Sequence, residues 1–142
     1  MNEIGGDAAC WAHLFEETTG EPAAAAVDLV ALAEATERRG PIWTDQCDDL
    51  NVNLLVFASG EGVPDHVNAE LDVLIVGICG EGQISIDGAT HSLGPGQAIL
   101  VSKGAVRGTR AVGKRFAYLT CHRRRPGLMP RPVAAKSPPE YA

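Results

Sequence analysis

Short apolar runs cut by glycine turns fill residues 50–122, and that spacing leaves few folds open to the chain. Leu50 to Ala58, LNVNLLVFA, puts Asn51, Asn53, Leu55 and Phe57 on one side and Val52, Leu54, Val56 and Ala58 on the other. Both sides turn apolar towards the end of the run, as in a sheet covered on both faces. Asp72 to Ile78 is a second strand, closed by Gly80-Glu81-Gly82. Gln83 to Ile86 and Ala89 to Leu93 flank Asp87-Gly88, a pair that favours a two-residue type I′ hairpin because both turn positions need positive φ. Gly94-Pro95-Gly96 turns the chain into Gln97 to Val101, Lys103-Gly104 turns it again, and Arg115 to His122 is the last strand. Seven or eight short strands in this arrangement predict a jelly roll or a related barrel.

The flanks read differently. Residues 1–20 carry Trp11, Leu14 and Phe15 among acids and glycines, an arm with one apolar anchor. Residues 21–40 predict one helix packed on the barrel: Ala26, Leu29, Val30 and Ala33 form a stripe, Pro22 suits the first turn, Arg38-Arg39 the last, and Gly40 the stop. The barrel is expected over 41–125, and residues 126–142, rich in proline and basic side chains, form an extended tail. No internal repeat or second domain is visible. A chain of 142 residues buries roughly two-thirds of its unfolded surface, enough for one core.

Cys10, Cys47, Cys79 and Cys121 form no CxxC or CxxH pair, which argues against a zinc knuckle or a thioredoxin-like site and for four reduced thiols. The longest apolar run, Val73 to Cys79, is too short to span a membrane. The N-terminus has no basic region ahead of an apolar core, so the expected setting is cytoplasmic. Ten of the twelve basic residues lie at or after Lys103, whereas seventeen of the eighteen acidic ones precede it. The expectation is that the basic segment packs on the acidic part of this chain or of a partner subunit. The net charge of -6 and the scarcity of aromatics argue against a nucleic-acid surface. No nucleotide-binding fingerprint or G-x-S-x-G elbow is present.

The central stretch resembles the cupin superfamily, specifically the small single-domain cupins, over roughly residues 45–122. Of the family's first motif, G-x5-H-x-H-x3,4-E-x6-G, the chain matches Gly60 and His66. It places Asn68 at the second histidine, Asp72 at the glutamate and Cys79 at the last glycine, with Gly80 just after. Of the second, G-x5-P-x-G-x2-H-x3-N, it keeps Gly96 and Gly104 and substitutes Ser102, Arg107 and Ala111. GEGQISIDGATHSLGPG is also much like the family's hairpin and turn. The resemblance implies an all-β fold, a cupin-type jelly-roll β-barrel, here with one N-terminal helix, and a homodimer.

Metal-binding cupins hold their ion with the residues that this chain has largely replaced. Asn68 is a weak ligand and Arg107 is cationic, so no cofactor is expected; a divalent transition metal, if bound, would rest on His66, Asp72 and Glu70. If the barrel forms, His66, Asn68, Asp72 and Arg107 converge in its mouth. Arg107 would then hold a ligand anion or pair internally with Asp72, in a network completed by His66 and Asn68. Asn51 and Asn53 either line the same pocket or sit at a sheet edge or in a turn. The expected function is metal-independent binding of a small polar or anionic molecule. The alternatives are a cupin-type enzyme (a metal-dependent dioxygenase, an isomerase or an epimerase, or a metal-free form with His66 as base oriented by Asp72) and a structural or nucleic-acid-associated dimer.

Overall fold

Two long strands, each bent by bulges, organise the molecule. The computed structural model describes residues 25–124; the expected arm and tail lie outside them. Helix α1 (Leu29–Ala35) is followed by β1 (Gly40–Gln46), β2 (Leu50–Ala58), β3 (His66–Val67), β4 (Val73–Ile86), β5 (Ala89–Leu93), β6 (Ala98–Val101) and β7 (Val106–Arg123). All pairings are antiparallel. β4 meets β7 twice: Val73 to Gly80 pair with His122 to Phe116, and Gly82 to Ile86 pair with Ala111 to Arg107. Register shifts at Gly77/Cys79 and Gly80/Gly82 bend the ladder between the two stretches. One wall therefore runs β1-β2-β7-β4-β6, and the other runs β3-β7-β4-β5, using the opposite halves of β4 and β7.

The core lies between these walls. Leu55, Val73, Ile75, Val101, Phe116 and Tyr118 from the first wall pack with Ile84 and Ala111 from the second. Burial of such side chains is worth roughly 1.5–3 kcal/mol each before entropic costs. The Tyr118 hydroxyl and Thr109 Oγ1, 2.8 Å apart, link the walls inside the barrel. Gly82 permits the close packing at the bend, because a Cβ there would collide with the Phe116 ring.

The outer face of the first wall carries α1. Leu29, Leu32 and Ala33, at helical spacing, pack on Leu54, Val56 and Ala117. The helix is shorter than the 21–40 expected. Asp28 caps it, its Oδ1 accepting the Ala31 amide at 3.0 Å, so the first turn starts at Leu29. Its last residue is Ala35, and Gly40 opens β1 rather than stopping the helix. The Arg115 guanidinium donates to the carbonyls of Ala33 and Thr36, satisfying acceptors that a helix end leaves open.

The hairpin at Asp87-Gly88 has φ of 49° and 87°, as a type I′ turn requires. β7 begins at Val106 rather than Arg115, and β4 runs through Gly80-Glu81-Gly82 instead of ending there. Asp87 supports this early start of β7: its amide donates to Val106 O, and its Oδ1 accepts the Val106 amide.

Candidate functional site

Arg107 is the largest fully buried side chain among the described residues, with 1 % of its surface exposed. It stands on the interior face of β7, in step with Thr109 and Ala111, and is the register partner of His66 on one side and Ile86 on the other. Its Nη1 donates to the carbonyls of Ser102 and Ala105, each at 3.5 Å, in the loop that joins β6 to β7. Burying a guanidinium is costly unless acceptors or anions surround it, so this position is built for charge.

His66 is half-buried, and its Nδ1 lies 2.9 Å from Pro64 O. A carbonyl can only accept, so Nδ1 carries a proton and donates it to Pro64 O. Pro64 O thus holds one side of the imidazole ring. Asp72 is exposed, and its Oδ1 accepts the Lys103 amide at 2.8 Å, anchoring the turn before β7.

Asn68 is 4 % exposed and folds the local backbone. Its Oδ1 accepts the amides of Glu70 (3.0 Å) and Leu71 (3.1 Å), and its carbonyl accepts Gly104 N–H at 2.8 Å. The asparagine thus ties the exit of β3 to the β6–β7 loop and spends its oxygen there. Glu70 is exposed in the same loop. Among the described residues no three His, Cys, Asp or Glu side chains come together as a metal-ligating group. The donors at the motif positions do not suit an ion either: one imidazole nitrogen, an amide oxygen already bonded, an outward carboxylate and a cation.

Asn51 and Asn53 face the interior, in step with Leu55 on an unbroken β2 register. Asn53 Oδ1 accepts the Thr44 hydroxyl at 2.8 Å, and its Nδ2 donates to Thr120 Oγ1 at 3.4 Å, a polar rung across β1, β2 and β7. One rung further out, Asn51 is opposite His122, His122 opposite Val73, and Val73 opposite Val101. The short β6–β7 loop then leads from Val101 to Arg107, so this rung and the His66–Arg107 pair share one end of the barrel. His122 had no assigned role in the sequence reading. The parity of Phe116, Tyr118 and Thr120 is the signal that places it inside.

A separate groove of about 270 Å³ lies on the outer side of the second wall, lined by Asp65, Gln83, Ser85, Thr90 and Arg110 among others. Ser85 Oγ donates to Asp65 Oδ1 there at 2.9 Å. The basic residues after Lys103 are partly consumed within the fold: Arg107 in the interior, Arg115 on the helix, and Arg124 on Cys47 O at 3.3 Å.

The sequence matches no family model and no curated protein. Solved structures share the fold. A cupin superfamily protein from Desulfitobacterium hafniense has 26 % identity and a TM-score of 0.57, covering 66 % of this chain and 88 % of its own. A cupin-2 domain protein from Shewanella frigidimarina has 14 % identity and a TM-score of 0.59, covering 69 % and 94 %. A Klebsiella pneumoniae protein with a double-stranded β-helix domain has 17 % identity and a TM-score of 0.60, covering 70 % and 90 %. The domain is a small cupin-type barrel. Among the described residues no helix is long and apolar enough to cross a membrane.

Proposed function

We propose that this small cupin-type barrel binds a small polar, anionic molecule at the interior end occupied by Arg107 and His66, without a metal ion. The burial of the Arg107 guanidinium beside His66, where a metal-binding cupin would place a histidine, carries the reading. A planar guanidinium matches a carboxylate or phosphate through paired N–H donors, and a water-poor setting strengthens the attraction. Free thiols at Cys47, Cys79 and Cys121 support a reducing, cytoplasmic setting for the binder.

The test is thermal stabilisation of chelator-treated protein by a panel of small carboxylates and phosphates, with Arg107→Met alongside. A bound ligand raises Tm with its concentration, and the reading expects that rise in wild type and its loss in the variant. Stabilisation by divalent metals alone, with none by any anion, would overturn it.

A further inference from the structure

The outer face of the first wall is only partly covered by α1. The helix cluster extends as far as the row of Leu54 and Leu119. The next outward row is Val52, Cys121, Leu74 and Leu100, set by the register across β2, β7, β4 and β6. All four side chains are apolar; the first three are half-buried, and Leu100 is 72 % exposed. Leu50, one outward position further along β2, is 46 % exposed. Exposed carboxylates border this strip. Asp45 is the β1 partner of Val52, Asp48 and Asp49 lie in the turn before Leu50, and Asp72 immediately precedes β4. A contiguous apolar strip with a polar rim is the form that a docking surface takes.

The chain itself leaves the barrel beside this strip. Arg124, the last described residue, donates its amide to Asp49 O at 2.7 Å and Nη1 to Cys47 O at 3.3 Å. The backbone is thereby held at the turn next to Leu50. The sequence continues Arg125-Pro126-Gly127-Leu128-Met129. Leu128, four residues past Arg124, can reach about 13 Å, and the strip from Val52 to Leu100 spans about 14 Å, three strand spacings. Pro126, Pro130 and Pro132 have no N–H to donate, which suits a segment laid across side chains and not one paired to a sheet edge. Arg125, Arg131 and Lys136 accompany them, with no acid before Glu140. Around the strip, Asp45, Asp48, Asp49 and Asp72 outnumber Lys103, Arg123 and Arg124. Residues 1–24, with five acids and no lysine or arginine, suit that rim less well. We infer that residues 125–136 fold back over the outer face of their own first wall, Leu128 and Met129 covering Leu100, Leu74 and Cys121. The tether at Arg124 favours this contact within one chain over the same contact between copies, because it holds the segment at millimolar effective concentration.

Amide chemical shifts of the ¹⁵N-labelled full chain test this with two variants, Leu128→Ser/Met129→Ser and Leu100→Ser. The first should move the amides of Val52, Leu74, Leu100 and Cys121 and leave those of Gln83, Ser85 and Thr90 on the second wall in place. Leu100→Ser should in return move the amides of Leu128, Met129 and Arg131. The wild-type shifts should stay constant over about a tenfold dilution, because a contact within one chain does not depend on concentration. If Leu100→Ser does not fold, the first variant still decides, since it alters no residue of the barrel. Unmoved amides along the Val52–Leu100 row in that variant would overturn the inference. So would wild-type shifts along the row that change on dilution together with the sedimentation coefficient, which would assign the strip to a second copy. A row moved by Trp11→Ser/Phe15→Ser but not by Leu128→Ser/Met129→Ser would also overturn it, giving the strip to the N-terminal segment.

Discussion

His66 and Arg107 stand opposite each other in the β3–β7 ladder, with one ring nitrogen of the histidine committed to Pro64 O and the guanidinium sealed from solvent. The short β3 strand exists to make this pairing: it has two residues, and both pair with the start of β7. A guanidinium and an imidazole are thereby fixed at one level of the barrel by backbone ladders rather than by mobile loops, the kind of support that a binding site needs.

Asn68 holds the loop beside that pair. Replacing it with alanine removes the acceptor of the Glu70 and Leu71 amides, one of which serves a buried residue. The expected loss is about 1–3 kcal/mol in urea unfolding, and Asn68→Asp, which keeps an acceptor at Oδ1, should recover most of it. Weaker anion binding should accompany the alanine change.

Tyr118 gives the fold an alkaline limit. Burial pushes its phenol well above the ordinary 10.0, with the Thr109 hydrogen bond opposing the shift. The unfolded chain therefore ionises first. Stability is whole below pH about 10 and drains away as pH rises above it, because unfolding then releases the phenolic proton. Tyr118→Phe should cost about 1 kcal/mol near neutral pH through the lost wall-to-wall bond, and should flatten the decline above pH 10. Chemical denaturation at pH 7 to 11 compares the two proteins directly.

Arg115 holds α1 on the barrel through the carbonyls of Ala33 and Thr36. A seven-residue helix has little stability of its own, so these bonds and the apolar face of the helix keep it formed. Arg115→Met should lower stability by about 1–3 kcal/mol and raise hydrogen exchange at 29–35 more than in β4. Arg115→Lys should restore only part of the loss, since one ammonium cannot reproduce the fork.

Local signals were readable in the sequence, and long-range ones were not. Leu50 to Ala58 and the Asp87-Gly88 turn announce themselves, because alternation and positive φ are properties of a few adjacent residues. The first half of β7 does not: its inward residues are Arg107, Thr109 and Ala111, which show no apolar alternation, and only pairing with β4 makes the segment a strand. The motif positions pointed to His66 and Arg107 as neighbours. The same positions could not separate Asn68 and Asp72, which fold backbone, from residues that face the interior; a polar side chain bonded to nearby amides looks in sequence like a ligand donor. His122 was readable by parity, once the last strand was known to run unbroken from Phe116.

The most direct measurement is amide chemical-shift mapping on ¹⁵N-labelled, metal-free protein titrated with the small carboxylate or phosphate that most raises Tm, in wild type and Arg107→Met. The account predicts saturable shifts at His66, Asn51, His122 and the segment from Val101 to Arg107, and none in the variant. Shifts confined to Gln83, Ser85, Thr90 and Arg110 would place binding in the outer groove instead. Either that result or the same interior pattern without the arginine would contradict an Arg107-centred site inside the barrel.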